Sequence, residues 1–332
     1  MKSILILPFL FSFGFVFSQV NLQQSIDKIA LPYANEKGNH ALVIGLVTAS
    51  GEQIYVYGET EKGNGVKPDS SSVFELGTIT SVFTTSLLAV LESDHKIDLN
   101  DPVQNYFPES VMIPVYEEII CKPADQNPVN SENDHHTVYY CFPDPSYHPK
   151  HMLLCDLATN TSGLPVYPGN LKASLKSSNP FEGYSLTNLY SFLNNYRTSY
   201  PTGLVYKFSP LGIAMLGNGL AWKEGTTYES ILQQEVLEPL MLQHTFITPT
   251  TIQQSKMLVG HDQKGKIVPP GIFDAMIPAI GLHSNVTDLL LFLKENLVLH
   301  HSAIQASLLH TQNPPVAIPH VKKLHGSYTA LA

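Results

Sequence analysis

Residues 74–84 read Phe74-Glu-Leu-Gly-Thr-Ile-Thr-Ser-Val-Phe-Thr84, and the fold is predicted outward from this stretch. From Thr78 onward the apolar side chains recur at helical spacing, and Thr78 itself is well placed to cap the N-terminus of the helix. The apolar positions of this helix are Val82, Phe83, Leu87, Leu88, Val90 and Leu91. Because the helix carries almost no charge before Glu92, we expect it to be buried.

The segments on either side of this helix predict an α+β fold. Before it, two β-rich runs at 41–47 and 53–57 flank a Ser-Gly turn, which is typical of a hairpin. After it come helical patterns at 152–159, 185–196, 211–222, 226–237 and 287–299. A hairpin followed by a run of helices indicates an α+β protein rather than alternating βαβ units.

Charge excludes two classes of partner. The chain has 332 residues and a formal net charge of −9, and it contains no run of basic residues. A nucleic-acid partner requires a basic face, and an anionic membrane surface attracts basic clusters. We therefore predict neither of them as a partner.

The N-terminus predicts export. Lys2 supplies a short positive region, residues 4–17 are apolar, and Val16 and Ser18 stand at the −3 and −1 positions of a cleavage site. A signal peptide over 1–18, cleaved after Ser18, would leave one secreted or periplasmic domain over 19–332. The apolar stretch is too short to span a bilayer comfortably, so no stable membrane insertion is predicted; a retained anchor is the alternative.

A polar segment over 112–150, rich in Pro, Asn, Asp and His, predicts a long surface insertion. Cys121 and Cys141 both flank its polar part, and we expect them to pair because export permits a disulfide. Cys155 lies in an apolar helical pattern, which favours a buried free thiol. The histidine pair at 135–136 has no third ligand at matching spacing, so a solvated loop is preferred to a metal site. No metal or cofactor is predicted.

Five strings, in order along the chain, resemble one known family. The 74–84 stretch resembles the nucleophile segment of class C β-lactamases and related D-alanyl-D-alanine carboxypeptidases, and Asp156-Leu-Ala-Thr-Asn-Thr-Ser-Gly-Leu-Pro165 resembles their second signature. The remaining matches are Pro239-Leu-Met-Leu-Gln-His-Thr245, Gly260-His-Asp-Gln-Lys-Gly265 and Ala279-Ile-Gly-Leu-His-Ser-Asn-Val-Thr-Asp-Leu289. His244 and His261 lie within these strings and are interpreted as structural.

The resemblance implies a β-lactamase/transpeptidase-like fold, in which an all-helical lobe packs on a five-stranded antiparallel sheet flanked by helices. It also implies acyl transfer by the serine of an S-x-x-K motif, whose lysine shares the serine's helix face and can act as its base. A Tyr-x-Asn motif and a late Lys/His-x-Gly motif complete the family's site. The implied ligands are β-lactams and peptides derived from peptidoglycan.

The aligned catalytic positions of this sequence carry other residues. Thr78 stands at the nucleophile position and Ser81 at the lysine position, while Phe208 and Pro210 replace the tyrosine and the asparagine. A threonine can attack a carbonyl, although its methyl group restricts χ1. A serine hydroxyl cannot act as a general base near neutral pH, and a phenyl ring carries no transferable proton. Asn160 stands where relatives often carry histidine.

Neither a neighbouring tyrosine nor the C-terminal region supplies the missing groups. Tyr206 is a secondary candidate for the phenol, but its displacement from Phe208 favours an aromatic that packs beside the turn. The late motif is not found, because His325-Gly-Ser327 has its glycine in the wrong place. The chain ends at Ala332, before the family's last strands, so we expect a C-terminally truncated fold. Its 41–57 hairpin would keep an unpaired edge and an exposed apolar face.

Three functional hypotheses follow. The preferred one is a catalytically impaired relative of the exported serine hydrolases, a pseudoenzyme that binds muropeptides or a protein in the old cleft. The second is an active hydrolase or carboxypeptidase that uses Thr78 as its nucleophile. The third is a binding module that uses the 112–150 insertion.

Overall fold

The computed structural model describes residues 22–36, 38–48, 51–123, 139–171, 179–262 and 264–312. The predicted signal peptide, the histidine pair at 135–136, the string at 325–327 and Ala332 lie outside the described residues. The strands are β1 (Ala41–Thr48), β2 (Gly51–Gly58), β3 (Phe74–Glu75), β4 (Ile119–Pro123), β5 (Tyr139–Pro143), β6 (Gly260–His261), β7 (Ile267–Val268) and β8 (His283–Ser284).

Helices form most of the remaining structure, and the predicted α+β class is confirmed. They are α1 (Leu22–Ala34), α2 (Thr80–Ser93), α3 (Leu154–Ala158), α4 (Leu186–Asn195), α5 (Pro210–Lys223), α6 (Tyr228–Leu232), α7 (Thr251–Gln254), α8 (Ile277–Ile280), α9 (Val286–Asn296) and α10 (Gln305–His310). Short 3-10 turns cover Gly77–Ile79, Val103–Tyr106 and Asp274–Met276, and a π-helical turn at Gln233–Leu237 continues α6. None of the described helices combines the length and the apolar character needed to cross a bilayer.

The β1–β2 hairpin has both faces covered by helices. Strand register pairs Leu42 with Tyr57 and Ile44 with Tyr55, so these side chains share one face, where they pack against α1. Gly45 points to the opposite face, and a Cβ on it would approach Val286 of α9 to 2.7 Å. The expected exposed apolar face is therefore wrong. The unpaired edge is present in the described residues, where β1 pairs with β2 alone rather than within the implied five-stranded sheet.

The helical layer is built around α5. Almost every residue of this helix from Pro210 to Ala221 is buried, because α2, α3, α6 and α8 all pack against it. The approach of α5 to α8 is close enough to require a glycine: a Cβ on Gly217 would lie 2.3 Å from that of Pro278. The predicted burial of α2 is confirmed, since Phe83, Leu87 and Leu91 are almost fully inaccessible to solvent.

The predicted insertion contains an exposed hairpin within its described part. Strands β4 and β5 pair antiparallel, with Cys121 opposite Cys141, and the predicted disulfide joins these two residues. Every described residue of β5 is exposed, so this hairpin belongs to the surface. Cys155 is a buried free thiol, as predicted, and burial raises its pKa to about 11.

Candidate functional site

Thr78 lies in the 3-10 turn that precedes α2 rather than at the cap of that helix. Gly77 begins this turn with a φ of +53°, a left-handed conformation that glycine adopts without strain. The residue before α2 is Ile79, and no side chain caps the helix there. The predicted capping role of Thr78 is therefore wrong. Its half-buried hydroxyl makes no hydrogen bond to any described residue, which leaves it free for another partner.

Ser81 follows Thr78 by three residues, the spacing at which side chains of a helical turn are neighbours. Its hydroxyl donates a hydrogen bond to the carbonyl of Ala279 at 3.2 Å. The adjacent Thr80 is fully buried, and its hydroxyl accepts the amide of Leu282 at 3.1 Å. These bonds fix the turn and the start of α2 against α8 and the residues that follow it. In the described chain no lysine forms a hydrogen bond with the hydroxyl of Thr78 or Ser81.

Phe208 and Pro210 lie at the N-terminus of α5, on either side of its capping residue. Ser209 accepts the amide of Gly212 at 3.0 Å and donates its hydroxyl to the carbonyl of Pro165 at 2.7 Å. Pro210 is buried as the first residue of the helix, a position where its fixed φ is favourable and its missing N–H leaves no bond unmade. Phe208 is half-buried just before this cap. Both residues therefore suit a helix start.

Asn160 connects this helix start to the second signature, a role that the sequence did not predict. Its side-chain oxygen accepts the amide of Ser209 at 2.9 Å, and its carbonyl accepts the amide of Lys207 at 2.8 Å. The residue has a φ of +57°, and asparagine is one of the few non-glycine residues that tolerate this conformation. The available signal was an asparagine shortly before Gly163 in a loop after a short helix.

The structure places the predicted site residues in two groups on packed helices. Thr78 and Ser81 form one group at the start of α2, and Phe208 and Pro210 form the other at the start of α5; the two helices are in contact. Tyr206 is exposed, and its hydroxyl makes no hydrogen bond to a described residue. No hydrogen bond joins the two groups within the described part of the chain.

A separate cavity of about 260 Å³ lies between the residue before β1, strand β3 and the β6–β7 hairpin. Its lining includes Asn39, His40, Phe74, Glu75, Leu258 and His261, and none of the five predicted site residues. The imidazoles of His40 and His261 are in edge-to-face contact, with ring centroids 4.0 Å apart. Burial lowers the pKa of His40, and so does the neighbouring His261. Sequence reasoning missed this pair because its members are distant along the chain.

Comparisons with known proteins agree with this arrangement of elements. A crystal structure of a class C beta-lactamase from Rhodobacter sphaeroides has a TM-score of 0.67 and 20% identity to this chain, and the match covers 88% of this chain and 70% of that one. A beta-lactamase/D-alanine carboxypeptidase from Yersinia pestis has a TM-score of 0.62 and 21% identity, over 82% of this chain and 67% of that one. These likenesses show the predicted β-lactamase-like fold.

Two bacterial relatives resemble the sequence at low identity. A beta-lactamase of Pseudomonas fluorescens is 23% identical over 83% of this chain and 65% of its own length. The D-alanyl-D-alanine-carboxypeptidase/endopeptidase AmpH of Escherichia coli K12 is 25% identical over 67% of this chain and 49% of its own length. The chain thus spans between about half and two thirds of these relatives. The model of the Beta-lactamase family matches residues 36–326, which include both groups of site residues, and this chain belongs to that family.

Proposed function

We propose that this chain is a catalytically impaired member of its family, which binds β-lactam-like or D-alanyl-peptide-like ligands with little or no turnover. The observation that carries the proposal is the state of Ser81. At the position of the family's lysine stands a neutral hydroxyl that is hydrogen-bonded to the carbonyl of Ala279. Such a group cannot remove a proton from Thr78 near neutral pH.

The residues at the tyrosine and asparagine positions of the family also support catalytic impairment. Phe208 offers no proton, and Pro210 offers neither a side-chain amide nor a backbone N–H. Loss of one member of a cooperating catalytic set costs about three to six orders of magnitude in related chemistry. The added methyl group of Thr78 further restricts the approach of its hydroxyl to a carbonyl. Acylation by this chain is therefore expected to be too slow to support turnover.

Labelling with a fluorescent penicillin tests the proposal directly. We expect no covalent label on the purified chain above the level of Thr78→Val, and no hydrolysis of a chromogenic cephalosporin above background. Calorimetric titration with benzylpenicillin measures the affinity of noncovalent binding, which does not require acylation. Rapid stoichiometric labelling that is lost in Thr78→Val, with unchanged melting of that variant, would contradict the proposal.

One observation favours the second candidate, an active hydrolase that uses Thr78. The hydroxyl of Thr78 is half-buried and has no hydrogen-bond partner among the described residues, so it is not committed to the fold. The labelling experiment separates the two candidates. The substitution Ser81→Lys sharpens it, because restoring a base should raise the labelling rate if Thr78 is otherwise placed to attack.

We also propose that the chain is exported after cleavage behind Ser18. Support comes from the Cys121–Cys141 disulfide, since such bonds persist in oxidising compartments. If the chain is exported, peptidoglycan-derived peptides are the ligand class that we expect it to bind. Intact-mass measurement of the protein recovered from the periplasm or the medium tests the cleavage site.

A further inference from the structure

The cavity beside β3 brings together two histidines whose side chains form no hydrogen bond to a described residue. The Nε2 atom of His40 is buried, yet it has no hydrogen-bond partner in the described residues. His261 contacts the edge of the same ring from the β6–β7 hairpin. A buried ring nitrogen without a hydrogen-bond partner calls for an explanation, and a bound ligand in the adjoining cavity is one.

The backbones on both sides of the pair are fixed by hydrogen bonds. The carbonyl of His40 accepts the amide of Glu59 at 2.6 Å. His261 pairs with Ile267 across the hairpin, whose turn is held by Asp262. Little ordering of the backbone is therefore needed before the two imidazoles can bind one ligand together.

The chemistry of the cavity selects the class of ligand. Neutral imidazole nitrogens are preferred ligands of copper, nickel and zinc, and two neighbouring imidazoles can bind the same ion. The carboxylates of Glu59 and Glu75 favour a cation here and Lys62 opposes it, while one oxygen of Glu75 already accepts the amide of Gly271 at 2.8 Å. A divalent transition-metal ion meets both conditions.

We propose that His40 and His261 bind one divalent transition-metal ion of the Cu²⁺, Ni²⁺ and Zn²⁺ group in this cavity, with water completing its coordination. No cluster of three or more His, Cys, Asp or Glu side chains that could hold a metal occurs in the described ranges, so the protein ligands would be these two imidazoles. The bound ion would join the start of β1 to β6. It would therefore stabilise the native state, because the unfolded chain lacks the pair.

Titration of the EDTA-treated full chain with NiCl₂ or ZnCl₂ tests the site, followed by calorimetry and by the shift in melting temperature. The background protein carries His135→Ala and His136→Ala, so that this adjacent pair cannot contribute. We expect one equivalent to bind, and each of His40→Gln and His261→Gln to weaken binding at least about tenfold and to abolish the melting shift. The matched control is His301→Ala, an exposed histidine outside the cavity whose loss should change neither quantity.

Metal-free melting and circular dichroism of the glutamine variants establish that they are folded. Equal affinity in the background protein and both variants overturns the proposal, as does the absence of binding at about 1 mM metal. If one variant is unfolded without metal, the other decides the result. The outcome is independent of the proposed impairment, because penicillin labelling is measured on metal-free protein at Thr78.

Discussion

In the helical layer, α2 and α5 contribute to one continuous core, whereas in the β1–β2 hairpin only Tyr55 and Tyr57 are buried, against Ala30 of α1. The candidate catalytic turn belongs to the first region, and the histidine cavity borders the second. Burial of apolar surface is the main source of stability, so the helical layer must contribute most of the free energy of unfolding. The stability of the hairpin therefore depends on its contacts with α1 and α9.

This difference explains how the site positions tolerate their residues. The groups at the start of α2 and α5 make hydrogen bonds that serve the packing of the helical layer, as Ser81 does with Ala279 and Asn160 does with Ser209. Pro210 contributes a favourable first residue to α5. The residues present at these positions therefore satisfy the packing and hydrogen bonding of the helical layer.

The largest effect that tests the comparison is expected from a core truncation. Leu87 of α2 is fully buried, so Leu87→Ala should lower the free energy of unfolding by about 2–5 kcal/mol. The matched variant Ile44→Ala removes a half-buried side chain of β1 and should cost less than about half as much. Urea denaturation followed by circular dichroism measures both. A larger loss for Ile44→Ala would reverse the assignment of stability to the two regions.

The sequence predicted the helical layer well because its periodicity is local. The pattern at 211–222 corresponds to Pro210–Lys223, and the pattern at 287–299 to Val286–Asn296. The expected single helix at 226–237 is instead α6 followed by a π-helical turn, a change in hydrogen bonding that apolar spacing does not report.

The features that could not be predicted from the sequence depend on the three-dimensional structure. The cap at Thr78 was wrong because Gly77 adopts a positive φ and places a 3-10 turn before α2. The bond of Asn160 to Ser209 and the contact of His40 with His261 join segments far apart along the chain. Pairings of this kind leave no period in the sequence, so they appear only in the folded structure.

A smaller effect is expected from the polar contact that fastens the hairpin to α1. The hydroxyl of Tyr57 donates to Asp27 at 2.6 Å, and burial together with this bond raises the pKa of Tyr57 to about 12. Tyr57→Phe keeps the ring and removes the bond, so it should cost about 1 kcal/mol. Hydrogen exchange should quicken in α1, β1 and β2 but not in α2 or α5. Equal acceleration in all of them would show that the hairpin and the helical layer open as one unit.

A pH-dependent effect concerns His283, which lies in β8 where the β3–β8 pair meets the helical layer. Its ring stacks on Phe246, both nitrogens lack hydrogen-bond partners in the described residues, and Glu75 is 3.9 Å away. Burial lowers the pKa of His283 below its ordinary value of 6.5, against a smaller opposing effect of Glu75. Below about pH 6.5, the imidazole of His283 therefore binds a proton more readily in the unfolded chain than in the native state.

Stability should accordingly fall as the pH drops below about 6.5, by at most about 1.4 kcal/mol per pH unit for this one proton. His283→Phe keeps the stacked ring but cannot titrate, so its unfolding free energy should depend less steeply on pH, while it changes little at pH 7.5. Urea denaturation in EDTA between about pH 5 and 7.5 measures the two slopes without a metal contribution. Identical slopes would mean that protonation of His283 is accommodated in the native state. The junction between the β3–β8 pair and the helical layer would then open more readily than the burial of His283 indicates.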